Sequence, residues 1–210
     1  MRERGNGTSC RGSSPTTGAP PPRRHFLQAA IAAGLSLGVV GVATADDEKP
    51  GADDRPKPGD LFVHAEGDHV GKTVEPADIQ LGVEPLQVWP MDPATKVVRD
   101  GSRLNQVVLL RLDPASCDED TRAHSADGIV AFSAICSHAG CPVTGWVVGE
   151  GGRQVLKCFC HNSEYDPTQN AAVVFGPAPR KLAALPVKIA GGLLVVASPF
   201  IGRVVPQQQG

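Results

Sequence analysis

This 210-residue chain has no excess of basic charge: 20 Lys and Arg stand against 22 Asp and Glu. A nucleic-acid partner, which would call for a cationic surface, has no basis here. No P-loop and no dinucleotide fingerprint occurs, so nothing offers to cradle a nucleotide phosphate. A nucleophile-elbow serine is also missing, which leaves serine hydrolysis without its central residue. Internal repeats are absent, which excludes a solenoid or propeller array. Long helical periodicities are scarce as well. Gly (24) and Pro (19) make up about a fifth of the chain and break it into short apolar runs, which predict strands and turns.

With 41% hydrophobic residues the chain can bury a core, and its length suits one domain plus an appendage. Residues 61–63 (Leu-Phe-Val), 86–89 (Leu-Gln-Val-Trp) and 107–112 read as strands, and Gly128–Ile135 as another. Trp146–Val148 and Val155–Lys157 bracket a Gly149-Glu150-Gly151-Gly152 turn. Leu185–Ile189 and Leu193–Val196 bracket Gly191-Gly192, a hairpin signal. Residues 113–128 read as a polar loop holding Cys117, while His64 and His69 read as surface residues without a role.

Two stretches organise the rest: Cys136-Ser137-His138-Ala139-Gly140-Cys141 and Cys158-Phe159-Cys160-His161-Asn162-Ser163. Each offers a Cys and a His at ligand spacing, and each carries a further Cys. Two thiolates and two imidazoles from two loops fit a Rieske centre, in which two His replace two Cys on one iron of a 2Fe–2S cluster. A tetrahedral zinc site uses the same donors. Zinc fingers, however, usually gather Cys in one knuckle and His in another, whereas each loop here mixes them. A set of unrelated disulfides would leave His138 and His161 unexplained.

The paired loops resemble the Rieske 2Fe–2S family, whose boxes read C-T-H-x-G-C and C-P-C-H-G-S. The similarity runs from about Ile129 to Val205. It implies that Cys136 and Cys158 hold the inner iron, that His138 and His161 hold the outer one, and that Cys141 pairs with Cys160. It also implies that the Ser163 hydroxyl bonds a bridging sulfide, that the Tyr165 hydroxyl bonds a ligand sulfur, and that Gly176-Pro177-Ala178-Pro179 covers the cluster. Three positions depart from the pattern: Phe159 for Pro, Asn162 for Gly, and Ala139 where quinol-oxidising members usually carry Leu. The implied fold is all-β. An antiparallel base domain (61–133, returning at 180–205) would carry an inserted cluster-binding subdomain (134–179).

Residues 1–45 hold five Arg and one Glu, which leaves the remainder at −6. Pro22-Arg23-Arg24-His25-Phe26-Leu27 leads into residues 25–45, which contain no Asp, Glu, Lys or Arg. This reads as a twin-arginine export signal. Ala43-Thr44-Ala45 offers a cleavage site, yet the segment is also long enough to remain as a membrane anchor helix. Residues 46–60, charged and rich in Pro and Gly, read as a hinge or linker. The folded body is expected on the periplasmic side of a bacterial inner membrane, anchored or soluble.

The resemblance implies an electron-transfer subunit of an oxidoreductase complex, of the quinol–cytochrome c reductase type. Its expected partners are quinol at His161, a c-type cytochrome and a cytochrome b-type membrane subunit. The small subunit of arsenite oxidase, a soluble Rieske ferredoxin and a zinc-stabilised binding module without redox chemistry are the alternatives.

Overall fold

The computed structural model describes residues 49–204. The export signal and anchor read from residues 1–45 lie outside the described residues. Among the described residues, no helix is long and apolar enough to cross a membrane.

Among the described residues, ten strands and one short α-helix follow in order: β1 Leu61–His64, β2 Leu86–Met91, β3 Val107–Arg111, α1 Glu119–Ala123, β4 Ile129–Ser133, β5 Gly145–Val148, β6 Gln154–Cys158, β7 Ser163–Asp166, β8 Ala172–Phe175, β9 Val187–Ala190 and β10 Leu193–Val196. A six-stranded sheet has the order β4-β3-β2-β1-β10-β9, and a four-stranded sheet has the order β5-β6-β7-β8. Every pairing between strands is antiparallel. Beyond β4 the first sheet curls back on itself: Ser133 N donates to Ala183 O and Leu185 N to Ala131 O. The base is therefore nearly a barrel, in keeping with the all-β expectation.

β3 explains why one base strand is apolar at successive positions. Val107 and Leu109 face a core with Phe62, Val88, Leu185 and Leu194. Val108 and Leu110 face the other way, onto a core shared with Leu156, Tyr165 and the thiol-bearing Cys136 and Cys158. Both faces of the strand are covered, so alternation with polar residues is lost. Phe132 lies on the same side of β4, 2% exposed. Truncating so large a buried side chain to Ala costs about 3–5 kcal/mol.

Two differences from the sequence reading bear on the site. The polar loop at 113–128 contains α1, capped by Asp118, whose carboxylate accepts from Thr121 N at 2.7 Å. Thr121 Oγ1 then accepts from Asn170 N at 2.7 Å, so the helix props the segment between β7 and β8. The second difference concerns the stretch read as a hinge. Residues 49–60 lie on the base: Gly101 N donates to Ala52 O, and Asn105 Nδ2 to Asp54 O at 2.9 Å. Asp60, 3% exposed, forms a bidentate pair with Arg99, itself 2% exposed, at 2.5 and 2.9 Å. A buried ion pair of this kind resists separation, since parting it strands a desolvated charge.

Candidate metal centre

β4 runs straight into the first loop. Ala134 N donates to Gln106 O and Val143 N to Ala134 O, so the loop leaves and rejoins the base at one place. Within it, Cys136 N donates to Cys141 O and Gly140 N to Cys136 O, closing a tight turn around Ser137 and His138. Two base side chains steady it from below. Gln87 Nε2 donates to Val143 O at 3.1 Å, and Arg103 Nη1 donates to Gly140 O at 2.8 Å. Neither is legible in the sequence, because they lie far from the motif and belong to no recognisable pattern.

The β5–β6 hairpin delivers the second loop, and β7 carries the chain away from it. In the register, Cys158 stands opposite Ser163 and Leu156 opposite Tyr165. Strand alternation then turns Ser163 and Tyr165 inward, while Glu164 faces the other way and binds Lys157 Nζ at 2.9 Å. Asn162, at the position where the family usually has Gly, adopts φ +60°. That is the left-handed region, which Asn visits more readily than other side chains, so the departure is sterically compatible. Phe159, in place of Pro, is 59% exposed. Its ring covers Gly145, where an added Cβ would come within 2.8 Å of it.

The loops meet through the disulfide Cys141–Cys160. Beside it the two imidazoles of His138 and His161 stand edge-on, ring centres 4.6 Å apart. His138 is half-buried, and its Nδ1 is buried without a hydrogen-bond partner; His161 is exposed. Cys136 and Cys158 are free thiols, 2% and 1% exposed. The Tyr165 hydroxyl lies 3.1 Å from Cys136 Sγ and accepts from Ser137 N at 3.3 Å. Burial, with the Cys136 sulfur adding to it, pushes this phenol well above its ordinary range, so it keeps its proton and remains a donor. Burial also pushes the Cys158 thiol up, although the backbone amides of Cys160 and His161 bond to it and work the other way.

The third side is the segment Gly176-Pro177-Ala178-Pro179. Ser163 Oγ accepts from Ala178 N at 3.2 Å, which leaves its own proton free to donate. Gly176 has φ +88°, and a Cβ there would lie 2.6 Å from Ser163 Cα. Only glycine lets the covering segment approach the second loop this closely.

Two buried thiols, two imidazoles and one buried ring nitrogen in want of a partner fit a 2Fe–2S group held by mixed Cys and His donors. Thiols in so apolar a place would ionise only against a compensating metal charge. The sulfurs of Cys141, Cys158 and Cys160 also lie within 4.8 Å of one another. This trio is no ligand set, because two of its sulfurs are already bonded to each other.

A family model described as the Rieske [2Fe-2S] domain matches residues 75–186. The chain belongs to this family. Its cofactor is accordingly one Rieske 2Fe–2S cluster. A Haloferax mediterranei protein named for the Rieske subunit of a respiratory nitrate reductase is 36% identical over 110 residues, 51% of this chain and 48% of its own length. The cytochrome bc1 complex Rieske iron-sulfur subunit of Mycobacterium tuberculosis is 33% identical over 108 residues, 49% of this chain and 24% of its own. The chain thus spans about half of the first relative and a quarter of the second. The soluble domain of Rieske protein II from Sulfolobus acidocaldarius is similar over 39% of this chain and 46% of that one, at 28% identity and a TM-score of 0.32.

Proposed function

We propose that Cys136 and Cys158 hold the inner iron and His138 and His161 the outer iron, and that the protein is the electron-transfer subunit of a quinol–cytochrome c oxidoreductase. The reading is carried by one observation: the Tyr165 hydroxyl 3.1 Å from Cys136 Sγ. A donor to a ligand sulfur stabilises the reduced, more negative cluster and raises its potential. Such a potential suits electrons drawn from quinol. Ser163, with its proton free, acts in the same sense. Bound here, the cluster supplies one-electron acceptance and release. His161, exposed at the tip, presents its ring to a quinol hydroxyl, binds it and holds the proton. The electron leaves toward a c-type cytochrome, and a cytochrome b-type membrane subunit provides the quinol site. Arg23 and Arg24 carry the folded protein across the bacterial inner membrane, so that the body works on the periplasmic side, where the disulfide persists.

Protein-film voltammetry of the loaded protein tests this reading. Rieske centres span about −150 to +300 mV, and a midpoint in the upper half is expected. One near the bottom would exclude quinol as donor. A second reading, in which the electron goes to a reductase subunit rather than a cytochrome c, is favoured by the similarity to the Haloferax protein and by Ala139, whose small side chain stands exposed where quinol-oxidising members usually carry Leu. Oxidation of the reduced, loaded protein by a c-type cytochrome, compared with its oxidation by a nitrate reductase catalytic subunit, separates the two.

A further inference from the structure

The strand directions sort the charges of the body into two ends. At one end the six-stranded sheet delivers the first metal-centre loop, through the C-terminus of β4 beside the N-terminus of β3, where Ser133 pairs with Val107. The opposite end carries the loop after His64 and the loop before Ile129. Those two loops hold Glu66, Asp68, Glu75, Asp78 and Glu84, then Asp113, Asp118, Glu119, Asp120 and Asp127, against only Lys72 and Arg122.

The metal-centre end is different. Residues 136–141, 158–163 and 176–179 contain no Asp, Glu, Lys or Arg. Between residues 134 and 185 the only carboxylates are Glu150, Glu164 and Asp166. Glu150 is on the hairpin turn, a strand's length from the loops. Glu164 and Asp166 are 2% and 1% exposed and paired with Lys157 and Arg153. Around the uncharged tip stand cations. Arg103 reaches Gly140 O. Arg180 comes beside the first loop through its carbonyl, which accepts from Ser137 Oγ at 2.6 Å, and the exposed Lys181 follows it. The β2–β3 loop that carries Arg103 also holds Asp92 and the exposed Asp100, against Lys96 and Arg99, and behind Asn105 come Asp53 and Asp54, with Arg55 bonded to Leu104 O and Lys57 on Asp54.

We propose that the tip docks on a protein partner whose contact patch is apolar and rimmed by carboxylates, although the body as a whole is acidic. Exposed Phe159 and Ala139 supply the dry centre, and Arg103 and Lys181 the rim. Uncharged contact centres with charged rims of complementary sign are how electron-transfer encounters gain rate without long residence. The inference rests on the proposed function for its identification of this tip as the electron-transfer face.

The test uses two small oxidants of opposite charge on the reduced, loaded protein: hexacyanoferrate(III) and tris(1,10-phenanthroline)cobalt(III). Each takes one electron, leaving the cluster oxidised and the reagent reduced by one; no bond is made and no proton moves. Salt is varied from about 0.1 to 1 M, where screening lengths fall from about 10 to 3 Å. The acidic end, a five-residue strand of roughly 17 Å away, is screened out in that range. The expected result is a severalfold fall in the hexacyanoferrate rate with salt, while the cobalt rate rises or stays level. Lys181→Glu should flatten the hexacyanoferrate dependence, and Glu119→Lys with Asp120→Lys should leave it alone. Carbodiimide coupling of a short oligoglutamate peptide, independent of electron transfer, should tag Lys181 in preference to Lys72 or Lys188. A hexacyanoferrate rate that rises with salt, or peptide attached mainly at Lys72 or Lys188, overturns the proposal. Visible and paramagnetic resonance spectra of the same sample report separately on the cluster, so failure of the docking inference is distinct from failure of the metal-centre reading.

Discussion

Replacing Tyr165 with Phe removes one hydroxyl from a fully buried ring and nothing else. In the wild type that hydroxyl lies 3.1 Å from Cys136 Sγ and also accepts from Ser137 N. A hydrogen bond to a charged group is worth about 1.5–3 kcal/mol. The donor acts on both redox states and favours the reduced one, so only a fraction of this appears in the potential. If a third to a half is differential, about 0.5–1.5 kcal/mol remains. At 59 mV per tenfold change for a one-electron couple, the midpoint should fall by about 20–65 mV. The phenol stays protonated because burial holds its ionisation well above the ordinary range, so the drop should persist unchanged from neutral to alkaline pH. Voltammetry of wild type and variant, each with its cluster confirmed by visible spectrum, is the assay. An unchanged midpoint with the cluster intact would refute the hydrogen-bond reasoning and remove the main support for quinol as donor.

Other perturbations address other parts of the molecule. His161→Ala or Cys136→Ala should yield protein without a Rieske cluster; wild-type iron content in either would sink the ligand assignment. Cys141→Ser with Cys160→Ser opens a loop whose ends are 19 residues apart and should lower stability by roughly 3 kcal/mol, read by thermal denaturation together with faster cluster loss. Asn162→Ala should cost about 1–2 kcal/mol for a left-handed φ while Asn162→Gly costs little, compared by urea denaturation. Arg99→Met leaves Asp60 buried without its partner and should destabilise by about 3–5 kcal/mol; a milder loss would mean that residues 49–60 are held by other contacts. Arg23→Lys with Arg24→Lys should keep the folded protein in the cytoplasm, as cell fractionation would reveal.

Local chemistry carried much of this protein in its sequence. Ligand-type residues at C-x-H and C-x-x-H spacing, with the further Cys in each loop, are short-range patterns, and short-range patterns survive without a fold. The apolar runs and glycine turns marked β1 to β6, β9 and β10 for the same reason. β7 and β8 carry no strand signal in the sequence. Ser163-Glu164-Tyr165-Asp166 has no apolar alternation, because one face serves the metal centre and the other buries carboxylates paired with Lys157 and Arg153. Residues 49–60 looked like a tether since Pro, Gly and charge predominate there. They are held by Arg99, Gly101 and Asn105, some 40 to 50 residues away in sequence but directly against Asp60, Ala52 and Asp54 in space. Arg103 and Gln87 are silent in the sequence for that reason too: their bonds to Gly140 and Val143 exist only once β2 and β3 stand beside β4. Residue types and spacing are encoded locally, so sequence suffices to name candidate donors. Which side chain lies against which sulfur or carbonyl depends on strand register across the chain, and that only the tertiary structure decides.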